Sequence, residues 1–337
     1  MIPNSSWDAC LALYPQSTVF HTTSWFNVLQ SVYRFTPIRL SQDNPDGAQS
    51  HLVLMEINSP LTGRRGVSLP FTDLCEPLCS SAESMRELFQ QAVTLGKARK
   101  WKYLELRGGR SLLPEAISSL KFHSHLVDLN HTEETLFSRF DGSVRQAVRK
   151  AEKSGVTVEF STSIDAVKTY YLLHCKTRRK HGVPPQPFAF FRAIQEQIIA
   201  KELGIVFVAK HNNRPISAAI HFHFGGQAIY KFGASDEAFQ HLRGSNLTMW
   251  EAIKWHRRHG SKSLHLGRSS LAGDGLRRFK LNLGAAETNI DYVKFDFFKN
   301  QFITETDQAH GWHTRIFRML PPAASRLIGA VLYRHIA

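Results

Sequence analysis

Runs of apolar residues broken by single polar ones mark the strands of this chain. "HLVLMEI" (51–57), "KYLELRG" (102–108), "SHLVDL" (124–129) and the segment 156–161 all read this way. "GIVFVAK" (204–210), "PISAAIHFHF" (215–224) and "AIYKFGAS" (228–235) follow one another across short turns, which predicts an antiparallel meander. Helical periodicity predicts helices over 23–31 and 81–100, from Ile164 towards His181 behind Ser163, over 188–203, and over 246–259. In "SVRQAVRKAEKSG", Val144, Ala147, Val148 and Ala151 share one face, Ser143 is the expected N-cap and Gly155 the stop. Prolines break the pattern at Ser68–Leu78 and at "HGVPPQPF", and residues 130–140 read as a link.

Two stretches are alike: "LGKARKWKYLELRGG" (95–109) and "IKWHRRHGSKSLHLGRS" (253–269). Each is a basic helix end, a short turn and a strand that stops at an arginine beside glycine. This predicts a duplicated α/β (α+β) chain with one unit over 1–130, a second over 131–300, and a basic amphipathic tail over 301–337. The length of 337 residues suits two domains, each with its own core.

Charge narrows the partners. Lysine plus arginine number 42 against 28 acidic residues, a net +14, so the surface field attracts phosphates, nucleic acid or anionic lipid. The start "MIPNSSWDACLALYP" lacks a secretory pattern and no apolar run reaches membrane-spanning length, which predicts a cytoplasmic protein, peripheral at the inner face of the membrane if the tail binds lipid. Cys10, Cys75, Cys79 and Cys175 read as reduced thiols. His221 and His223 share a strand face but have no third ligand at a recognisable spacing, and "CEPLC" has the wrong gap for zinc, so no metal site is expected.

Anion chemistry has two candidate seats. In "QHLRGSN", Gly244 permits close backbone approach, Ser245 or Asn246 can cap, and the N–H groups of the following helix favour phosphate or carboxylate; an ordinary helix start reads the same. "GDGLRRFKLNLGA" sets Arg277, Arg278 and Lys280 between glycines, either as a solvated turn or as an anion site. Arg145, Arg149 and Lys153 form a basic stripe that reads equally as a solvated helix face. The tail mixes Trp312, Ile316, Phe317, Leu320 and Leu327 with Arg315, Arg318, Arg326 and Arg334; residues 312–337 suit either an anionic membrane surface or packing on the protein.

The blocks "SVRQAVRKAEKSGV", "AIYKFGAS", "GSNLTMWEAIKW", "LHLGRS" and "GLRRFKLNLGA", in this order over most of 127–297, resemble the FemAB family and its BioF2-like relatives in the GNAT acyltransferase superfamily. The resemblance implies tandem GNAT-like units with mixed, mostly antiparallel sheets flanked by helices. It further implies an acyl- or aminoacyltransferase acting on an amine of a cell-envelope precursor, of peptidoglycan or exopolysaccharide type. No tightly bound cofactor is implied; the anionic donor is acyl-CoA or aminoacyl-tRNA, so tRNA is a possible partner. The glycines of "QHLRGSN" are wider apart than in GNAT CoA loops, and no heptad arm like that of tRNA-using members is present, so both donors stay open.

By the same resemblance Lys280 matches the family lysine that neutralises developing charge or holds substrate phosphate, and is expected to face the reacting centre. Tyr230 and Asp73 are the other catalytic candidates, although Tyr230 reads equally as core and Asp73 as a turn residue. Arg145, Arg149, Arg277, Arg278, Asn246 and Arg268 are substrate-binding candidates, and Arg243, Gly244 and Ser245 donor-binding ones. Amine attack on an acyl group needs a neutral nucleophile and stabilisation of an oxyanion, with no enzyme nucleophile. The rival readings are a basic nucleic-acid-binding protein and a membrane-associated, non-catalytic scaffold of the same fold.

Overall fold

The structure is a computed structural model that describes residues 4–45, 47–307 and 317–336. The chain forms two compact units. Unit 1 comprises Met1–His123, Asn289–Ala309 and Val331–Ala337, and unit 2 comprises Ser124–Thr288 and His310–Ala330. Residues 289–309 thus group with the N-terminal part rather than with the 131–300 segment, because the strand they contain pairs there.

Unit 1 opens with helices α1 (Asn4–Cys10) and α2 (Thr23–Tyr33), followed by strands β1 (Thr36–Asp43), β2 (Gln49–Ser59) and β3 (Gly63–Val67). These three form an antiparallel meander. After the proline-interrupted loop comes α3 (Ala82–Ala98), then β4 (Tyr103–Arg107), which runs parallel to β3. Ser81 caps α3, its hydroxyl accepting from Ser84 N. Met85, Leu88, Phe89 and Ala92 recur at helical spacing on α3 and bury against Leu52, Leu54, Leu104 and Leu106 of the sheet. Strand β5 (Leu120–Asp128) leads into unit 2.

Unit 2 repeats the plan with additions. It begins with α4 (Glu133–Ser138), α5 (Gly142–Lys153), β6 (Val156–Ser161), α6 (Ile164–His181) and α7 (Phe188–Gln197). Strands β7 (Gly204–His211), β8 (Arg214–Phe224) and β9 (Gln227–Ser235) form the expected antiparallel meander. Helix α8 (Gly244–Arg258) follows, then β10 (Ser263–Ser270) parallel to β9. The order meander, helix, parallel strand is therefore the same in both units, and the expected tandem mixed α/β architecture is present. Helix α9 (Asp274–Leu281) and β11 (Ala286–Asp296) complete this part of the chain, β11 pairing with β4 in unit 1 from Tyr292 onward and carrying β12 (Gln301–Phe302). The last helix is α10 (Pro322–Leu332).

Several local readings are corrected. Residues 133–138 of the expected link are helical because Thr132 caps them. The cap of α5 is Asp141, whose carboxylate accepts from Ser143 N at 2.8 Å, not Ser143 itself. Helix α7 stops at Gln197, and a 3₁₀ turn over Ile199–Lys201 replaces its last part. "GDGLRRFKLNLGA" is a helix rather than a turn. Buried Val144, Val148 and Ala151 lie against the α8 face that carries Leu247, Trp250 and Ile253; each buried valine contributes about 1.5–3 kcal/mol.

Trp312, Arg315 and Ile316 of the tail lie outside the described residues. The described part packs on the protein: Ser325 and Gly329 are buried, and an ideal Cβ at Gly329 would fall 2.0 Å from Pro185 O, so only glycine lets α10 sit this close. Within unit 1, Ser59 Oγ and His335 Nδ1 are 2.9 Å apart, and buried Arg65 donates to His335 O at 2.7 Å.

Candidate functional site

The start of α8, like those of α7 and α9, has no side-chain cap. Arg243 occupies the N-cap position in the left-handed region (φ 58°), so neither Ser245 nor Asn246 caps the helix. Gly244 is buried, and an ideal Cβ there would meet Ile216 Cδ1 at 2.9 Å; glycine lets the helix begin against β8. Ser245 Oγ lies 3.1 Å from Ser217 Oγ. The N–H groups of Gly244 and Ser245 belong to the first turn, where no earlier helical carbonyl is available, and the first turn contains no acidic residue.

Beside this helix start is a cavity of about 440 Å³. One face of α5 supplies Ser143, Gln146, Ala147 and Lys150, at i, i+3, i+4 and i+7. Arg243 and Asn246 form the α8 side, and Phe279 and Asn282 close it from α9 and its C-cap. Two cations, three amides and an aromatic ring therefore surround the space, and no carboxylate is among the described lining residues. Such a lining suits an anion joined to a polar arm.

Of the candidates named from sequence, Arg243 and Asn246 line this cavity, and Gly244 and Ser245 begin the helix beside it. The others are placed elsewhere or hold other partners. Arg145 donates through Nη1 to the carbonyls of Ser138 (2.7 Å) and Phe140 (2.6 Å), fastening α5 to the end of α4. Arg149 is exposed, 5.7 Å from the Phe137 ring. Arg277 makes a two-pronged ion pair with Glu287, both contacts 2.7 Å, while Arg278 is exposed. Lys280 is buried, its Nζ donating at 2.8 Å to the carbonyls of both Gly267 and Arg268; it is not among the described lining residues. The Arg268 residue is itself half-buried.

Tyr230 packs partly buried against the unit 2 core, its ring 5.2 Å from His221. Its hydroxyl occupies the space a Cβ at Gly233 would need, and burial pushes its phenol up to about 12. Asp73 belongs to unit 1, where its backbone carbonyl accepts from the Tyr292 hydroxyl at 2.6 Å. His221 and His223 both have rings near His256 but hold different partners: His221 Nδ1 meets His256 Nε2 at 3.1 Å, whereas His223 Nε2 donates to Glu202 O at 2.7 Å.

Behind α9 lies a polar cluster that the sequence reading missed. The Glu287 carboxylate that binds Arg277 also accepts from His125 Nε2 at 3.0 Å, and Ser124 Oγ lies 2.7 Å from His265 Nε2. Burial first, and then the charge of Lys280, lowers the His125 pKa and favours a neutral ring. No local spacing signals this cluster, because its members come from β5, β10, α9 and β11. The lining face of α5 was missed as well: the sequence reading put Ala147 on the apolar face and the basic stripe at Arg145, Arg149 and Lys153, not at Lys150.

Residues 138–281 match the family described as acetyltransferase (GNAT) domain. Every element around the cavity except the C-cap residue Asn282 falls within the matched span. The fold is similar to that of FemX, with 15% identity over 86% of this chain and 96% of that one and a TM-score of 0.71. It is similar also to L-PGS from Bacillus licheniformis, with 11% identity over 98% and 96% and a TM-score of 0.58. A tandem GNAT protein from the clavulanic acid biosynthesis pathway matches at 11% identity over 87% and 94%, with a TM-score of 0.54. The FemAB-like resemblance and tandem GNAT fold expected from the sequence are thus met. No curated protein matches the sequence.

Proposed function

We propose that the GNAT domain transfers an acyl or aminoacyl group from an anionic donor to an amine of a cell-envelope precursor. The observation that carries this reading is the uncapped start of α8, flanked by Arg243 and Lys150 and opening on a 440 Å³ cavity. Phosphate of the donor, acyl-CoA or aminoacyl-tRNA, would take the free N–H groups of the helix start, with Arg243 and Lys150 balancing its charge. The neutral amine then attacks the acyl carbonyl directly. Its nitrogen forms the new amide bond, the carbonyl oxygen carries the transient negative charge, and the C–S or C–O bond to the donor breaks as the leaving group takes up a proton. No acyl-enzyme forms.

Lys280 is assigned its part in turnover through position. Its ammonium ties the carbonyls of Gly267 and Arg268 to α9, which carries Phe279 into the cavity wall. Asn246 and Asn282, which line the cavity, would orient the polar arm of the donor or the amine. The FemX and L-PGS likenesses favour an envelope acceptor over a small metabolite. Among the described residues no helix is long and apolar enough to cross a membrane, so contact with a lipid-linked acceptor would be made from the membrane surface.

Equilibrium titration of CoA and of aminoacyl-tRNA tests the donor site. One of the two binds, and Arg243→Glu weakens it at least about tenfold, the loss of one charge-assisted contact. Binding of neither by the unmodified protein defeats the reading. Intact-mass measurement during turnover tests direct attack, which leaves the enzyme mass unchanged.

A further inference from the structure

A second cavity, of about 490 Å³, lies in unit 2 where α10 meets α6, and it shares no described lining residue with the cavity at α8. Its volume falls in the roughly 300–1,000 Å³ range of small-molecule sites. Leu172, Leu173, Pro185, Pro215, Leu320 and Pro322 make its walls apolar. Leu172 is 58% exposed, a large apolar side chain on the wall that the protein leaves uncovered. The close approach of Gly329 to Pro185 holds α10 against this region, so the wall is part of the packed fold.

The charges around these walls have one sign. Lys176, Arg179, Arg214 and Arg326 all line the cavity, and no carboxylate does among the described residues. Nearby, the Asp236 carboxylate takes Lys176 at 2.7 Å and reaches Arg214 at 3.8 Å. One carboxylate against four cations leaves an excess of positive charge beside an apolar space. Arg179 is exposed, and Arg326 sits 5.6 Å from the Tyr171 ring, its charge available on the other side. An adjoining hollow shares Lys176 and Arg179 and adds Arg318 and Lys180, together with Asp236 and Glu237; Lys180 is taken by Glu237 at 2.8 Å, so Arg318 is the cation this hollow adds to the rim.

We propose that this cavity binds a single-chain amphiphile, its alkyl or acyl chain against α6 and α10 and its phosphate head held by Arg179 and Arg326. An apolar wall alone would accept any greasy molecule, and a basic rim alone any phosphate. Their coincidence in one cavity selects the ligand that carries both. The site is independent of the transfer reading, since the two cavities have no described residue in common.

Cys175 lines the cavity and serves as the reporter, because Cys75 and Cys79 are buried and Cys10 can be replaced by serine. The probes are octyl, decyl and dodecyl phosphate below their micellar concentrations, with inorganic phosphate and dodecyl maltoside as controls. The alkyl phosphates protect Cys175 of Cys10→Ser protein from a maleimide saturably, and each added methylene that enters the cavity tightens binding about fourfold. Arg179→Glu and Arg326→Glu each weaken dodecyl phosphate about tenfold or more, with unchanged thermal midpoint and unchanged donor binding at α8. Equal protection by dodecyl maltoside would reduce the site to an unspecific apolar hollow, and equal protection by inorganic phosphate to a surface anion site. Either result overturns the proposal, as does undiminished binding by both glutamate variants.

Discussion

Helices α3 and α8 occupy the same place in the two units: each follows a three-stranded antiparallel meander and precedes a strand parallel to the meander's last. Each has a hollow at its N-terminal end, about 470 Å³ at α3 and about 440 Å³ at α8. Their chemistry is opposite. The α3 start is capped by Ser81, carries Glu83 in its first turn, and its hollow is lined by Asp43, Glu83 and Glu87. The α8 start has no side-chain cap and no acidic residue in its first turn, and Lys150 and Arg243 line its hollow. The helix dipole favours an anion at both ends equally. Side chains decide that α3 caps its own N–H groups while the start of α8 is left without a side-chain cap, so one topology carries two opposite local chemistries.

The largest effects are expected at two buried cations, Arg107 at the end of β4 and Lys280 of α9, which bonds to the carbonyls of β10. In unit 1, buried Arg107 pairs with Glu105 at 2.9 Å and donates to Thr72 O at 3.0 Å. Arg107→Ala leaves buried Glu105 only its longer contact with Lys294 at 3.9 Å and lowers unfolding free energy in urea by about 3 kcal/mol, with donor affinity unchanged. In unit 2, Lys280→Ala orphans two carbonyls, and it lowers stability by about 3 kcal/mol and also abolishes turnover. A Lys280→Ala protein that is less stable yet turns over at the wild-type rate would make this lysine as purely structural as Arg107.

Next in size is the conversion of the α8 hollow to the charge of the α3 hollow. The double variant Lys150→Glu/Arg243→Glu is expected to lose about 100-fold or more in donor affinity. Neutralising the other hollow with Asp43→Asn and Glu87→Gln should change donor affinity less than about twofold. Comparable losses in the two variants would erase the contrast between the helices.

Acid sharpens it from another side. His221, against His256 of α8, is driven down to about 3 by burial, whereas in the unfolded chain it titrates near 6.5. The unfolded chain therefore binds more protons between these values. The contribution of neutral His221 is complete above about pH 6.5 and shrinks as pH falls towards 3, by about 1.4 kcal/mol per unit. The opening free energy of α8 amides, taken after correction for intrinsic exchange, should fall between pH 7 and 5 by more than that of α3 amides; an equal fall in the two helices argues against the assignment. The smallest effect is Ser81→Ala, about 1 kcal/mol in the urea midpoint, which removes the cap that α8 does without.

Much of the fold was legible because its signals are local. Helix α6 runs between its Ser163 cap and the left-handed Gly182 as expected, and the β7–β9 meander follows from three apolar strands joined by short turns. Missed elements lack such signals. Strand β3, "GRRGV", is polar and glycine-rich and exists because β2 and β4 flank it. Helix α9 lies between glycines with little apolar periodicity, and is held by Lys280 and Arg277. At the site, Arg243, Gly244, Ser245 and Asn246 could be named from one heptapeptide, whereas Phe279 and Asn282 reach the cavity only by folding.

By itself the sequence determined the duplicated order of helices and strands, the basic character and the resemblance to acyltransferases, since each resides in residues near one another along the chain. Tertiary structure alone decided which positive charges are spent and which are offered. Arg145 is taken by the carbonyls of Ser138 and Phe140, Arg277 by Glu287 and Lys280 by the end of β10, while Lys150 and Arg243 line a cavity with no carboxylate among its described residues. The physical reason is that a charge is neutralised by whatever lies within a few ångströms in space, and for a folded chain that neighbour is set by packing rather than by position along the sequence.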